Sequence, residues 1–394
     1  SARVIEELPE TVGRYQFTHA LIQETLAGEL SLTRRVRLHA QIAETLESLY
    51  ETDAESHAAE LAYHFNQARE VLGTEKLIEY SLMAGQRALA SYAHEEAMGQ
   101  FQRVLAAKES DQTDTEVAAA LSGLGRAQAA LGRVEEAIPN SAKALDYYSD
   151  TGDIVNAVAI GATPLPAWAG RLEGASALCT KALDMVDRNS LDAGRILSNH
   201  GRALAFQEGD YEGAHAAFDR ALAIARREKN VALEVEALAN AAFVDVYHLR
   251  PKEGLARSSS AIELARDLEP SVAVVMAHYT AAFFLWSTGE TRRIGQHAEA
   301  ALAVAEKMRD LSSWARAAWA NEFVPYASGD WDTARAHNDR ALSVLFSDAR
   351  ALVTRTVLEY EVGDFHQGEV FLERILDLMR STPPGPTLEL VAPA

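Results

Sequence analysis

The sequence predicts an all-α fold, a superhelix of stacked helical hairpins, and three observations carry that expectation. Ala and Leu dominate the 394 residues, with Glu and Arg behind them, whereas Val and Ile gather in a few patches; strong helix formers are abundant and strand formers are not. Glycines recur at 132, 170, 209, 289, 329 and 363, a period close to 40 with a last step of 34. After most of these glycines one pattern returns: a small residue five places on (Ala137, Ala175, Ala214, Ala334) and an Ala-Leu pair twelve and thirteen places on.

Taken in chain order, the first 90 residues stand apart from the repeats. Arg14-Tyr-Gln-Phe17 has the composition of a short strand. Thr18 is placed to cap a helix over His19–Leu30, and Ser31 to cap a second over Leu32–Tyr50. Arg34, Arg35 and Arg37 form a small basic cluster, read as a solvated helix face. Linking helices and a first hairpin follow over 51–91.

From 92 to 380 the repeats take over. Each glycine supplies the positive φ that ends a helix, and the acid after it (Asp210, Glu290, Asp330) favours the start of the next. The small residue lets two helices approach closely, and the Ala-Leu pair lies on the same face two turns on. The unit between 209 and 289 turns near Arg250-Pro251, and an earlier one turns near Tyr92 with Ala97 in the matching place. The most apolar run, Val272–Trp286, is too short to span a membrane and reads as a buried helix. Thr163-Pro-Leu-Pro-Ala-Trp168 breaks the first helix of its unit, leaving either a pocket beside Trp168 or a tolerated irregularity. The chain lacks an initiator Met and closes on a Pro-rich stretch, 381–394, so both ends are expected to be cut from something longer.

Gly209-Asp-Tyr-Glu-Gly-Ala214, followed by Phe218 and Ala221-Leu222, resembles the tetratricopeptide repeat, and Leu124-Gly125 before Gly132 matches that family's first helix. The resemblance covers Leu77 to Arg380. The longer period is similar to that of repeats in bacterial signalling ATPases. The string Phe17-Thr-His-Ala-Leu-Ile-Gln-Glu-Thr-Leu26 resembles the end of the winged-helix subdomain of STAND-type ATPases, which makes 1–50 a remnant of that subdomain. The resemblance implies a nucleotide-sensing role for His19, whose imidazole would contact an ADP phosphate. Ala20 stands where that family's motif has Asp, and a structural role for His19 remains the other reading.

Catalytic chemistry is not evident. No G-x-x-x-x-G-K-[ST] exists, so no cofactor is expected in this chain, and ATP or ADP is implied only for a parent protein. Gly123-Leu-Gly125 reads as helix packing. The 12 histidines are scattered, and His57 and His64, seven apart, lack a third metal ligand. His94-Glu-Glu96 reads as a helix start. Cys179, the single cysteine, reads as a small core residue in a reducing compartment. The net charge of −20 argues against nucleic acid as a direct partner.

One constellation recurs. Phe206, Tyr247, Trp286 and Tyr326 follow at steps of 41, 39 and 40, with Asn199, Asn240, Tyr279 and Trp319 about seven places before them. Arg202, Phe243 and Glu322 share those first helices. In the repeat family such helices line the concave groove, so the column is either interhelix core or an aromatic, amide-lined groove for a peptide, protein or small effector.

The resemblances imply a non-catalytic, cytoplasmic sensor and scaffold arm of a LuxR-type ATP-dependent regulator, assembling through its parent ATPase. The alternatives are an arm of a class III nucleotide cyclase and a stand-alone interaction scaffold. Neither a membrane nor a metal enters these readings.

Overall fold

A computed structural model describes residues 5–7, 15–17, 28–108, 112–164, 173–308, 310–346 and 348–381. His19, Trp168 and the 382–394 tail lie outside the described residues, as does nearly all of the helix expected at His19–Leu30. The chain divides into two compact units, 1–90 with 96–112, and 91–95 with 113–394.

In the first unit the expected strand forms as β2 (Tyr15–Phe17), paired antiparallel with β1 (Ile5–Glu7). Helix α1 (Leu32–Tyr50) starts where the serine cap places it, Ser31 Oγ accepting from the Arg34 amide at 3.4 Å. Arg34, Arg35 and Arg37 are exposed on it. Helices α2 (Ala58–Gln67), the single turn α3 (Arg69–Leu72) and α4 (Glu75–Ala90) pack with α1 around Ala43, Leu61, Phe65, Leu77 and Tyr80. Helix α5 (His94–Lys108) closes a hairpin with α4, and the ring of Phe101 fills the space a side chain at Gly85 would need.

The second unit is a succession of hairpins. The first helices are α6 (Thr115–Ala130), α8 (Ile154–Gly161), α10 (Leu191–Ala203), α12 (Val231–Tyr247), α14 (Val272–Ser287), α16 with α17 (Leu311–Ala320, Phe323–Ser328) and α19 (Ala349–Val362). Their partners are α7 (Val134–Thr151), α9 (Ala175–Asp184), α11 (Tyr211–Arg227), α13 (Pro251–Leu264), α15 (Thr291–Met308), α18 (Trp331–Val344) and α20 (Phe365–Ser381). Every first helix begins on a capping side chain: Asp114, Asp153, Ser190, Asn230, Ser271, Asp310 and Asp348.

The turns explain the period. Gly132, Gly209, Gly289, Gly329 and Gly363 have φ between 67° and 87°, and the amide after most of them bonds five residues back: Arg133 to Gln128, Glu290 to Leu285, Asp330 to Pro325, Asp364 to Glu359. Where no glycine stands, the conformation persists: Tyr92 (φ 61°) and Leu249 (φ 53°) hold the same left-handed position, the latter with Arg250 N bonded to Asp245 O at 3.0 Å. The turn residue is therefore Leu249, one place before the expected Arg250-Pro251. The small residues behind the turns are buried: Ala97, Ala137, Ala214 and Ala334 at 0% exposure, Ala175 at 2%.

From 191 onward the hairpins pack asymmetrically. Helices α10, α12, α14 and α16 each contact the first helix of the next or preceding hairpin, while among the described residues no second helix makes a comparable contact with the next second helix. First helices therefore form the inner wall of the curve and second helices the outer. Among the described residues, consecutive second helices pair at α7 with α9, where the first helix α8 is cut to eight residues. It ends three residues before Pro164, as the proline signal implied.

Candidate functional site

The inner wall from α10 to α19 gathers polar and aromatic side chains that an ordinary helix interface would not contain. Arg202 on α10, Arg316 on α16 and Arg350 on α19 are 9%, 2% and 8% exposed. Burial lowers the pKa of Arg202 to about 10, an effect that Glu236 on α12 opposes. Arg316 is lowered to about 10 by burial and by the like charges of Arg350 and Arg202. Its guanidinium lies 5.7 Å from the Tyr279 ring centre and against the Met276 sulfur. Arg350 lies 5.9 Å from the same ring and 5.3 Å from that of Trp319. Burial works against its charge, but Asp348, bonded at 2.6 and 3.0 Å, holds its pKa above the ordinary value. Burial pushes Tyr247 and Tyr279 up, and both hydroxyls lie in the field of Arg316 and Arg350.

The expected aromatic column divides in two. Phe243, Tyr279 and Trp319 are 2–4% exposed and belong to the core, and Trp319 Nε1 donates to Thr354 Oγ1 at 3.0 Å. Phe206, Tyr247, Trp286 and Tyr326 are half-buried. Phe206, Phe243 and Tyr247 form one ring cluster with centroids 4.9–5.5 Å apart. Trp286 stacks on Phe323 at 4.7 Å, and Tyr326 meets Trp331 edge-on at 5.8 Å. The half-buried rings come last on each first helix, where the helix approaches its turn.

The amides and the acid have structural partners. Asn199 Nδ2 donates to the carbonyls of Gly161 (3.0 Å) and Thr163 (2.8 Å), groups left open where α8 breaks. Asn240 Nδ2 donates to Ser198 Oγ at 2.9 Å. Glu322, 1% exposed, sits in the break between α16 and α17, where Pro325 has no N–H to offer the Asn321 carbonyl. Its Oε2 accepts from Asn338 Nδ2 (2.9 Å) and Thr354 Oγ1 (3.1 Å), while its Oε1 and the Asn338 Oδ1 are buried without a hydrogen-bond partner. Burial raises the Glu322 pKa to about 7.

Elsewhere the chemistry is that of packing. Burial pushes the Cys179 thiol up to about 12, and its Sγ lies 3.6 Å from the Gly161 carbonyl. His57 stacks on Tyr50 at 3.7 Å, and His64 meets His39 rather than His57, their Nδ1 atoms 3.0 Å apart. Among the described residues no group of three or more His, Cys, Asp or Glu side chains converges as a metal site would. Among them, too, no helix is long and apolar enough to cross a membrane. Sequence reasoning missed Arg316, Asp348, Arg350 and Glu236. Arg316 did leave a signal, as the lone charge in Leu311–Ala320.

No protein-family model matches the sequence, and no curated protein does. Solved structures do. A Rap protein complexed with competence and sporulation factor is 12% identical over 92% of this chain and 90% of that one, with a TM-score of 0.52. The Rap conjugation gene regulator of plasmid pLS20, in complex with a Phr peptide, is 12% identical over 89% and 95%, with a TM-score of 0.51. At these identities the likeness establishes the fold, a tetratricopeptide-type α-solenoid.

Proposed function

We propose that this chain is a non-catalytic scaffold whose inner wall, from α10 to α19, binds an extended peptide or protein segment. The observation that carries the proposal is the composition of that wall. Half-buried Phe206, Tyr247, Trp286 and Tyr326 mark successive hairpins, with buried arginines among them. Rigid rings backed by charged groups suit recognition of a partner better than closure of a core. The peptide named with the Rap regulator of the same fold supports the choice of a peptide over a small effector.

The finer reading is that the scaffold is the sensor arm of a STAND-type, LuxR-family regulator. It rests on the Phe17–Leu26 string and on the β1–β2 ribbon that precedes the Ser31-capped helix. In that setting a docked partner would shift the parent between closed and open states by binding one of them more tightly.

Selection of a random peptide library on the full chain tests the groove. Selected peptides are expected to lose tenfold or more in affinity on Tyr247→Ala or Trp286→Ala, measured by calorimetry. Unchanged affinity in both variants rules the inner wall out.

A further inference from the structure

The side chain six places after a turn ties several outer helices to the next hairpin. Ser176 on α9 meets His200 Nε2 of α10 at 3.2 Å, His215 on α11 meets Asp245 of α12 at 3.1 Å, and Arg335 on α18 holds Glu359 of α19 at 2.9 Å. Leu255 on α13, at the same place after Leu249, packs into the shared core. On α15 that place belongs to Gly295, six after Gly289. Outside its own helix, a Cβ there would meet only Val324 Cγ2, at 3.9 Å. The missing bridge leaves a cavity of about 300 Å³, lined by Thr291, Arg292 and Gly295 of α15 and by Val324, Ala327 and Ser328 of α17. Glycine inside a helix costs stability relative to alanine, so the helix itself gives no reason for it.

The edge of the cavity departs from the repeat as well. Three places after the turn, where Glu135, Glu212 and Asp332 carry negative charge, α15 has Arg292. Gly295 and Val324 are half-buried and, with Ala327, give the cavity apolar walls; Arg292, Thr291 and Ser328 are exposed and set one cation and two hydroxyls around it. We propose that this cavity is a small-molecule site for a monocarboxylate with a compact apolar body. The body stands where other outer helices carry a bridging side chain, and the carboxylate pairs with Arg292. One guanidinium matches one planar carboxylate, and an apolar hollow with a few polar groups at its edge suits such a ligand. The cavity is lined by none of Phe206, Tyr247, Trp286 and Tyr326, so the site does not depend on the reading of the inner wall as a peptide groove.

The test uses the full chain with cyclohexylacetate, cyclohexylacetamide and acetate at millimolar concentration, read as shifts in melting temperature, since a ligand of the folded state raises it. Cyclohexylacetate is expected to do so. The amide, which keeps the body without the charge, and acetate, which keeps the charge without the body, are expected to leave it unchanged. Gly295→Leu supplies the side chain that the ligand replaces. It is expected to melt no lower than the unsubstituted chain and to lose tenfold or more in cyclohexylacetate affinity by calorimetry. Gly295→Ala adds a single methyl and should keep that affinity, which separates filling of the cavity from stiffening of the helix. Arg292→Gln should bring the affinity for the carboxylate down to that for the amide. Undiminished affinity in Gly295→Leu or Arg292→Gln, an equal loss in Gly295→Ala, or equal binding of acid and amide to the unsubstituted chain overturns the proposal. Binding of neither overturns it too, and leaves the cavity to a side chain of a protein partner.

Discussion

Within the second unit, the outer helices that follow Gly209 and Gly329 are built alike, whereas the inner helices depart from regularity each in a different place. Helices α11 and α18 both start on an aspartate cap, Asp210 or Asp330, and both bury an alanine five places after the turn. Along the inner wall, α8 is cut short at Gly161, α10 ends in a π-turn over Leu204–Glu208, and α16 breaks at Asn321 before α17 resumes. Both of these outer helices pack against the first helix of their own hairpin with an alanine buried at the same place, so one packing solution recurs. The inner helices face the lumen on one side, where regular packing is not imposed and polar groups collect. Irregular turns of this kind recur at functional sites in helical proteins.

The largest test of this contrast is in the outer layer. Phe218, 0% exposed on α11, lies against Gly201 of α10, whose missing side chain leaves room for the ring. Phe218→Ala is expected to cost about 3–5 kcal/mol, seen as a lower urea midpoint. The inner wall should respond in the opposite sense. Glu322→Gln is expected to stabilise by about 1–3 kcal/mol at pH 8, because a neutral amide supplies a donor among two unbonded oxygens. The sign of the pH dependence follows from the raised pKa. The folded state holds a proton that the unfolded state releases above about 4.5, so wild-type stability falls as pH rises towards and through about 7, and the variant should lose that slope.

A smaller gain is expected at the turn without glycine. Leu249 is 84% exposed and strained at φ 53°, so Leu249→Gly should raise stability by about 0.5–1 kcal/mol, measured as a shift in melting temperature. The last test joins the two layers. His278 on α14 and His297 on α15 place their Nδ1 atoms 3.2 Å apart, and burial lowers both pKa values, that of His278 to about 4. Stability from this pair is complete above about 6.5 and declines as pH falls towards 4, since the unfolded histidines bind protons first. His278→Gln should flatten that acid limb.

What the sequence disclosed follows the same division. Glycines, small residues and the Ser31 cap were legible because each satisfies a local backbone demand wherever it occurs. Gly132 and Gly209 announce their turns, and even Tyr92 and Leu249 could be placed to within a residue by counting forty from a neighbour. The fates of Trp319 and Trp286 were not legible. Both sit at repeating positions on first helices, yet one is 4% exposed and bonded to Thr354 while the other stacks half-buried on Phe323. Burial on the inner wall depends on which neighbour fills the adjacent gap, a contact across some 35–40 residues of chain. The placing of Arg316 and Arg350 on the one ring of Tyr279 was hidden for the same reason, since no local pattern connects residues in three hairpins.

The π-turn at Leu204–Glu208 has a consequence for how such an array changes length. Asp210 N reaches back six residues to Leu204 O, one more than at the other glycine turns, and the corresponding turn of the next hairpin, at Leu249, falls forty after Gly209. The widened coil holds one surplus residue, and the turns that follow it, at Leu249, Gly289 and Gly329, keep steps of forty. Insertions in the lumen-facing helices need not propagate, so the contents of the wall can be rewritten while the spacing of the outer shell stays fixed.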